Sequence, residues 1–496
     1  MNGHGKSDGR IVPAKLVNKA VQAAAEPVEE RRPAEGNTID PTRSGRRAGE
    51  GVPSGLDRVR EAAQKDRNVR FTALLHHVDL ALLWKSYVAI RPAAAPGVDG
   101  VTWEDYGEHL RENLGDLLAR VHSGTYRAKP SRRAYIAKAD GKQRPLGIAA
   151  LEDKIVQRAV VEVLNAIYEV DFLGFSYGFR PGRKPHDALD ALATGITRKK
   201  VSWVLDADIS DFFGQLDHCW LQKFLEHRIA DERVLRLIRK WLAAGVIEDG
   251  KWSETPLGSP QGASASPLLA NVYLHYVFDR WVRQWRHRYA RGDMIVVRFA
   301  DDFVLGFEYE RDATQFLSDL RERFSVFGLE LHPEKTRLIE FGRYAARNRA
   351  ARGLGKPETF DFLGFTHICA KGKNGGFWVR RITISKRMRA KLKILNVELK
   401  RRRHEPIDVQ GQWLGSVVRG HLNYYAVPGN IGAVAAFRTQ ATRHWFKALR
   451  RRSQKNRLSW VRMGRLATRW LPPARTVHPF PEVRFAATTR GRSPVR

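Results

Sequence analysis

Apolar and charged residues alternate at the spacing of an amphipathic helix in two stretches of the N-terminal third of the chain. Residues 56–74 and 78–89 both show this pattern, which predicts a helix in each. A turn rich in proline and glycine follows, and Thr102 with the acidic Glu104 behind it predicts the start of another helix. Residues 1–55 show no sustained apolar period and are rich in Gly, Pro, Glu and Arg, so we expect this extension to be disordered.

Strand-like patterns in the middle of the chain carry acidic residues. Residues 201–209 are largely β-branched or aromatic and follow two lysines, which predicts a buried strand. Asp206 and Asp208 are two positions apart and therefore share one face of this strand. Residues 294–306 form a second, largely apolar run with the pair Asp301-Asp302 at its centre, which predicts a hairpin with an acidic tip.

Two further segments carry loop and turn signals. Gly258 opens a loop rich in Gly and Ser, after which Ser266 suits the N-cap of a helix and Pro267 its first residue. The apolar face expected of this helix consists of Leu269, Val272, Tyr273, Tyr276 and Val277. Upstream, an Asp-Gly pair separates residues 132–138 from 143–148 and predicts a β-hairpin.

The charge of the chain indicates the class of partner that it binds. The chain of 496 residues has 86 Lys and Arg against 53 Asp and Glu, a net charge of +33, with 43% hydrophobic residues. The length and hydrophobic content predict a chain that folds into about three structural units. The net positive charge favours a polyanion as its partner, with nucleic acid as the first candidate. Residues 381–496 hold 27 Lys and Arg against four acidic residues, so most of the excess lies in the C-terminal part.

Cysteine content and hydropathy exclude several further classes of protein. The two cysteines, Cys219 and Cys369, are 150 positions apart, which excludes a disulfide framework and a zinc ribbon rich in cysteine. Charged residues interrupt every apolar stretch well before about 18 residues, the length that spans a bilayer. We therefore expect an intracellular protein without a membrane-spanning segment.

The carboxylates suit phosphoryl transfer. This chemistry uses two Mg²⁺ ions about 3.5–4 Å apart, bound by hard oxygen ligands. Asp208, Asp301 and the main-chain carbonyl of Ile209 would supply such ligands if the two strands are neighbours. An Asp-Asp pair in a hairpin is also ordinary turn chemistry. Because acidic residues are costly to bury without cations, and two apolar strands carry them here, the metal site is favoured.

These segments resemble known motifs. Phe299-Ala-Asp-Asp302 resembles the aromatic-x-Asp-Asp signature of reverse transcriptases, in which Tyr is the usual first residue, and Asp208-Ile-Ser-Asp-Phe-Phe213 resembles its companion motif. Residues 258–271 are similar to the nucleotide-pocket loop of the same family. The resemblance implies catalytic roles for Asp208, Asp301, Asp302 and Lys335, and metal ligation by Asp208, Ile209 and Asp301. It implies contacts to the incoming nucleotide from Lys138, Arg144, Phe213 and Gln261.

A C-terminal motif makes the resemblance more specific. Arg419-Gly-His-Leu-Asn-Tyr-Tyr425 looks like the thumb, or maturase domain, of proteins encoded by group II introns. Residues 175–183 resemble the turn that lies along the template, and residues 360–365 the turn that grips the primer. The implied nucleic-acid contacts are Arg180, Arg183, Arg419, His421, Tyr424 and Tyr425. Aromatic residues at helical spacing also form cores, and basic residues also form plain solvated surfaces.

The architecture that the resemblance implies is an α+β right-hand polymerase. It would have fingers, a palm with an antiparallel sheet, and a thumb formed by a helical maturase domain. The expected boundaries are 1–55 for the disordered extension, 56–200 for an N-terminal extension and fingers, 201–370 for the palm with elements of the fingers packed against it, 371–450 for the thumb, and 451–496 for a basic DNA-binding extension.

The implied function is RNA-directed DNA synthesis with Mg²⁺, together with assistance to group II intron splicing and retrohoming. The implied partners are group II intron RNA, target DNA and deoxynucleoside triphosphates, without a membrane; a homodimer is left open. The implied location is the cytoplasm, at the nucleoid. No Cys follows Cys369, so we expect no zinc-supported HNH endonuclease domain. The alternative is a domesticated reverse transcriptase, in phage defence or a CRISPR locus, without a role in splicing.

Overall fold

The computed structural model describes residues 55–137, 143–248, 251–254, 257–258, 262–372, 374–453 and 457–489. The expected disordered extension, Lys138 and Gln261 lie outside the described residues, and only the main chain of Arg144 is described. Within the described part, no helix is both long enough and apolar enough to cross a membrane.

Helices predominate and strands fall into three sheets among the described residues. The helices are α1 Gly55–Lys65, α2 Leu80–Val88, α3 Trp103–Glu108, α4 Leu110–Ser123, α5 Leu151–Asp171, α6 Pro185–Arg198, α7 Phe212–Gln215, α8 His218–Glu226, α9 Glu232–Ala243, α10 Ser266–Leu274, α11 Arg280–Arg288, α12 Glu310–Val326, α13 Ala345–Ala351, α14 Ser385–Arg401, α15 Ile407–Tyr425, α16 Ile431–Arg450, α17 Trp460–Trp470 and α18 Pro481–Thr489. A 3₁₀ turn covers Leu75–His77, and a π-helical turn, His275–Asp279, joins α10 to α11.

The strands are β1 Ser131–Ala137, β2 Gln143–Ile148, β3 Trp203–Asp208, β4 Val246–Glu248, β5 Lys251–Ser253, β6 Met294–Phe299, β7 Asp302–Phe307, β8 Arg337–Glu340, β9 Phe360–Phe362, β10 Phe365–Lys371 and β11 Phe377–Thr383. They form sheets of order β2-β1-β4-β5, β6-β7-β3-β8 and β11-β10-β9.

The sheet β6-β7-β3-β8 is antiparallel and lies between two cores. Phe303 and Leu305 of β7 pack with Phe316 of α12 in one core, whereas the neighbouring Val304 belongs to a second core. This second core contains α6 on the other face of the sheet and continues into α14, α15 and α16. Successive strand residues point to opposite faces, so alternation along β7 connects both cores. The end of the sheet where β3 meets the β6–β7 turn is thereby held from both sides.

Most expected elements are present. The hairpin of β6 and β7 and the antiparallel pair of β1 and β2 have the predicted form. Thr102 caps α3 through a reciprocal capping box with Asp105. Helix α2 agrees with the pattern at 78–89, with Asp79 as its cap. Helix α10 begins at Ser266 itself, one residue before the expected first residue Pro267, and its N-cap is Ala265 rather than Ser266.

The helix expected over residues 56–74 is wrong in its second half, because α1 ends at Lys65. Phe71 instead forms a parallel bridge with Ile229, in which the Phe71 N–H donates to the carbonyl of Arg228 and the Phe71 carbonyl accepts from the N–H of Ala230. The Asp231 carboxylate accepts hydrogen bonds from the main-chain N–H groups of Leu74 and Leu75. These partners lie more than 150 residues away, so the local pattern could not reveal them.

Candidate active site

The acidic tip is the two-residue turn between β6 and β7. Ala300 occupies the left-handed region with φ +59°, and Asp301 follows it in the turn. Asp302 opens β7 and lies directly opposite Asp208 at the end of β3. A left-handed conformation is unfavourable for a residue with a Cβ atom, so neighbouring contacts must hold the turn.

Four carboxylates crowd the tip. Asp206, Asp208 and Asp302 share one face of the sheet, because Asp206 is two residues before Asp208 and Asp302 is opposite Asp208. Burial raises the pKa of Asp302 well above its usual range, and the negative charges of Asp206, Asp208 and Asp301 raise it further. Burial likewise raises the pKa of Asp206 to about 7. Repulsion of this kind is relieved by cations.

Basic side chains reach the same face from β8 and the loop before it. The Lys335 ammonium lies 2.8 Å from the Asp208 carboxylate, and it is 43% exposed. Arg337 is 3.9 Å from Asp206. In the part of the chain that the structure describes, no three carboxylate, imidazole or thiol groups are already arranged around one metal position. The Lys335 ammonium is therefore the counterion of Asp208 in this structure. A metal ion bound to Asp208 would displace it.

The main chain of Ile209 is directed toward the acidic tip. Two main-chain hydrogen bonds, 2.8 and 2.9 Å long, flank the bridge between Ile209 and Leu331. A residue between two such bonds turns its own N–H and C=O groups away from that partner. The Ile209 carbonyl consequently points to the β7 side of β3, where Asp301 lies.

Two glycines bring the expected nucleotide-contacting segments together. Gly258 (φ +88°) lies so close to the Phe213 carbonyl that a Cβ atom would be 2.7 Å from its oxygen. Gly262 (φ +113°) lies equally close to the carbonyl of Gly147 in β2, at 2.8 Å. The partly buried Phe213 ring packs edge-on against Phe212. The ends of the loop that contains residue 261 thus contact β2 on one side and Phe213 on the other.

The structure separates the two arginines expected along the template. Arg180 is 6% exposed, forms an ion pair with Glu169 and donates to the carbonyls of Leu173 and Ser176. Arg183 is partly exposed, donates to a main-chain carbonyl and lies over the Tyr177 ring. Arg180 is therefore placed inside the protein, and the structure does not support its direct contact with nucleic acid.

The motif at residues 419–425 is mostly internal. Arg419 is exposed, whereas His421 is 4% exposed and stacks on Phe437 with ring centroids 3.6 Å apart. Burial lowers the pKa of His421 to about 3. Tyr425 is also buried, and Tyr424 donates a 2.8 Å hydrogen bond to the carbonyl of Leu363. Three of the four expected contacts in this motif therefore attach α15 to the rest of the protein.

The turn that Tyr424 contacts joins β9 to β10. Leu363 (φ +46°) and Gly364 (φ +84°) are both left-handed, as a two-residue hairpin of this kind requires. Leucine is strained in this conformation, and the bond from Tyr424 helps to hold it. This turn connects the hairpin of β9 and β10 to α15.

Sequence reasoning did not assign a site role to Asp206. Its position two residues before Asp208 already indicated the shared face, but an acidic residue on a strand carries no signal of its own. The structure also brings Asp361 of β9 near this site. Burial is the main cause of the raised pKa of Asp206, and the negative charge of Asp361 raises that pKa further.

Comparisons with known proteins identify the family to which the chain belongs. Residues 136–367 match the family described as Reverse transcriptase (RNA-dependent DNA polymerase). The chain is 36% identical to Protein YkfC of Escherichia coli K12 over 277 residues, which cover 49% of this chain and 72% of that protein.

Two further relatives carry names that refer to introns. Group II intron-encoded protein LtrA of Lactococcus lactis subsp. cremoris is 34% identical over 241 residues, covering 48% of this chain and 39% of LtrA. Nuclear intron maturase 2, mitochondrial, of Arabidopsis thaliana is 26% identical over 233 residues, covering 39% of this chain and 30% of the maturase. The chain therefore belongs to the reverse transcriptases, in the group of reverse transcriptases and maturases that group II introns encode.

Proposed function

We propose that this protein copies RNA into DNA and assists the splicing and retrohoming of a group II intron. The observation that carries the polymerase part is the register of the sheet β6-β7-β3-β8, which sets Asp208 opposite Asp302, the residue that follows Asp301 in the chain. The residue types and their arrangement are those that nucleotidyl transfer requires.

We assign the parts of the fold accordingly. The sheet β2-β1-β4-β5 belongs to the fingers, the sheet β6-β7-β3-β8 to the palm, and helices α14 to α16 to the thumb. The boundaries proposed are 56–200, 201–370, 371–450 and 451–496. Helix α6 falls within the first range but packs on β6, so it acts structurally as part of the palm.

The residues at the tip fit a divalent cation, because carboxylates crowd one face and raise the pKa of Asp302. Asp208, Asp301 and the carbonyl of Ile209 would hold Mg²⁺, with Asp302 beside them. When bound, two such ions increase the acidity of the primer 3′-OH and neutralise the triphosphate. Displacement of Lys335 from Asp208 would free its ammonium to donate a proton to the pyrophosphate.

The nucleotide would bind where the two glycine contacts bring β2 and Phe213 together. Phe213 would lie against the sugar and exclude a 2′-OH group. Lys138 and Arg144 would bind the triphosphate, and Gln261 would lie beside the templating pair. The support for this assignment is the proximity of their segments, because Gly262 contacts β2 and Gly258 contacts the main chain at Phe213.

RNA binding would use exposed basic residues of α14 and α15. Lys386, Arg389, Lys393 and Lys400 are exposed along α14, and Arg419 is exposed on α15. Lysine and arginine release counterions from phosphates, so binding to intron RNA and target DNA should weaken steeply with salt. Such binding would also keep the protein at the nucleoid. The RNA would supply the splicing chemistry, and the protein would stabilise its active fold.

The test compares Asp301→Asn with Asp293→Asn. Asp293 lies just before β6, at the opposite end of the same hairpin, where it binds Lys199. We expect Asp301→Asn to abolish Mg²⁺-dependent cDNA synthesis on an RNA template and to leave intron RNA binding largely intact. Asp293→Asn should retain cDNA synthesis. Full polymerase activity of Asp301→Asn would contradict the assignment.

A further inference from the structure

A buried arginine lies beneath the acidic tip. Arg298 on β6 and Asp279 at the end of the π-helical turn are both 0% exposed and form an ion pair at 2.6 Å. All five N–H groups of the guanidinium have an acceptor: the Asp279 carboxylate takes two, and Ser176, Asn271 and the main-chain carbonyl of Ala300 take one each. Breaking a fully paired buried charge of this kind is strongly unfavourable.

The acceptors come from separate parts of the chain. Ser176 belongs to the loop after α5, Asn271 to α10, and Ala300 to the acidic turn. Asn271 also donates a 2.7 Å hydrogen bond to the carbonyl of Gly178 in the same loop. Gly178 packs so closely on the turn that a Cβ atom there would be 2.2 Å from the Ala300 nitrogen. The underside of the turn is therefore enclosed by polar main chain and by the arginine.

The bond to Ala300 bears directly on Asp301. The carbonyl of Ala300 and the N–H of Asp301 belong to one planar peptide unit. The 2.9 Å hydrogen bond from Arg298 to that carbonyl fixes the orientation of this peptide plane. The Cα atom of Asp301, which carries the side chain, lies in the same plane. The same bond contributes to holding Ala300 at φ +59°, a conformation that is unfavourable for a residue with a Cβ atom.

We propose that Arg298 is the positioning residue of the acidic turn, holding Asp301 in the orientation that ligates the divalent cation. This inference rests on the proposed metal site and names the group that fixes its geometry. Arg298 itself touches neither substrate nor metal. A lysine could keep the charge but not the five bonds, because its ammonium has three donors and lacks the planar fork.

The experiment measures Mn²⁺ binding to the full chain by electron paramagnetic resonance, without template or nucleotide. Arg298→Lys is compared with Arg228→Lys, because Arg228 is also buried, at 1% exposure, and paired with the partly buried Asp171 at 3.0 Å. We expect Arg298→Lys to weaken Mn²⁺ binding about tenfold, as loss of a supporting contact to a metal ligand does, and Arg228→Lys to leave it unchanged. Thermal melting tests whether both variants fold.

A gentler pair covers the case in which Arg298→Lys fails to fold. Ser176→Ala removes one acceptor of Arg298, and Ser86→Ala removes a buried serine hydroxyl that bonds only within its own helix in the described contacts. We expect Ser176→Ala alone to weaken Mn²⁺ binding. Equal Mn²⁺ affinity of the wild-type protein and a folded Arg298→Lys, or equal loss in Arg228→Lys, would overturn the inference. If Arg298→Lys does not fold, equal affinity of the wild-type protein and Ser176→Ala would do so.

Enzyme kinetics separate this inference from the polymerase proposal. In cDNA synthesis, Arg298→Lys should raise the Mg²⁺ concentration for half-maximal rate and lower kcat, with KM for the nucleotide little changed. If the wild-type protein binds Mn²⁺ at Asp301 but makes no cDNA, the polymerase proposal fails and the positioning role stands. If Asp301→Asn binds Mn²⁺ as the wild-type protein does, the metal site is wrong and the positioning role falls with it.

Discussion

Lys335 and Asp208 form the closest ion pair at the site among the described contacts. The ammonium is 2.8 Å from the carboxylate and remains partly exposed. In this position it neutralises one of the crowded carboxylates, and it is near enough to exchange places with another cation. Its proposed role as proton donor requires such mobility, which a surface ion pair permits because its net stability is small.

Substituting Lys335 by glutamine should lower kcat for cDNA synthesis by about 100-fold, the lower end of the range for loss of a general acid. Lys199→Gln is the matched control, because Lys199 is also 43% exposed and contacts Asp293 at 3.0 Å away from the tip. Single-turnover rates measure the effect. An unchanged rate for Lys335→Gln would assign Lys335 to charge balance alone.

Two arginines three positions apart show why the solvent exposure of a side chain could not be predicted from the sequence. Arg180 and Arg183 belong to the same basic turn in the sequence, yet Arg180 is enclosed by Glu169 and two main-chain carbonyls. Glu169 lies on α5, eleven residues earlier, and no local pattern indicates that the turn folds back onto that helix. The same holds for His421, whose burial depends on Phe437 of α16.

At the scale of elements, hairpins were the most predictable parts. The β6–β7 and β1–β2 pairs follow from alternation and turn chemistry, which are local signals. The part of the expected first helix after Lys65 was wrong because Phe71 pairs with Ile229, a distant residue. The sequence also placed Asp208 and Asp301 on two strands, but only the register showed that those strands are direct neighbours.

The loop that carries residue 261 offers a prediction at this scale. Gly262→Ala should raise KM for the incoming nucleotide, because a Cβ atom at φ +113° would press on the Gly147 carbonyl and move the loop from β2. Gly353→Ala is the control: Gly353 also has positive φ, at +69°, but no atom lies within 4 Å of its Cβ position.

Steady-state kinetics and thermal melting distinguish the outcomes. Both alanine variants should lose stability from the strained backbone, roughly 1 kcal/mol at Gly353 and more at Gly262, where the close contact with the Gly147 carbonyl adds to the strain. Only Gly262→Ala should raise KM. Normal nucleotide KM in a folded Gly262→Ala protein would show that contact with β2 does not shape the pocket.

Across the whole molecule, buried histidines link stability to pH. Burial lowers the pKa of His367 and of His421 to about 3, from an ordinary value of 6.5. The unfolded chain binds protons on these groups below pH 6.5 and the folded protein does not. Their contribution is therefore fully present above pH 6.5 and is lost as pH falls toward 3. Between pH 6.5 and 5 each should cost roughly 1–2 kcal/mol.

His421→Phe preserves the stack on Phe437 and removes the titrating group, so its stability should fall less between pH 7 and pH 5 than that of the wild-type protein. Urea unfolding at several pH values measures this slope. His287→Phe, at an exposed position of α11, should keep the wild-type slope. A steep acid slope that persists in His421→Phe would contradict the buried, neutral state of this histidine.

The last described helix has a structural role of its own. Arg484 in α18 binds both carboxylate oxygens of Asp190 on α6, a side chain that is 1% exposed and also binds Arg381 of β11. A chain shortened before α18 would leave this carboxylate with a single cation and would uncover the side of α6 on which α18 lies. Loss of activity on shortening would therefore measure weakened folding as well as lost DNA contacts, and Arg484→Gln in the full-length chain would tell the two apart.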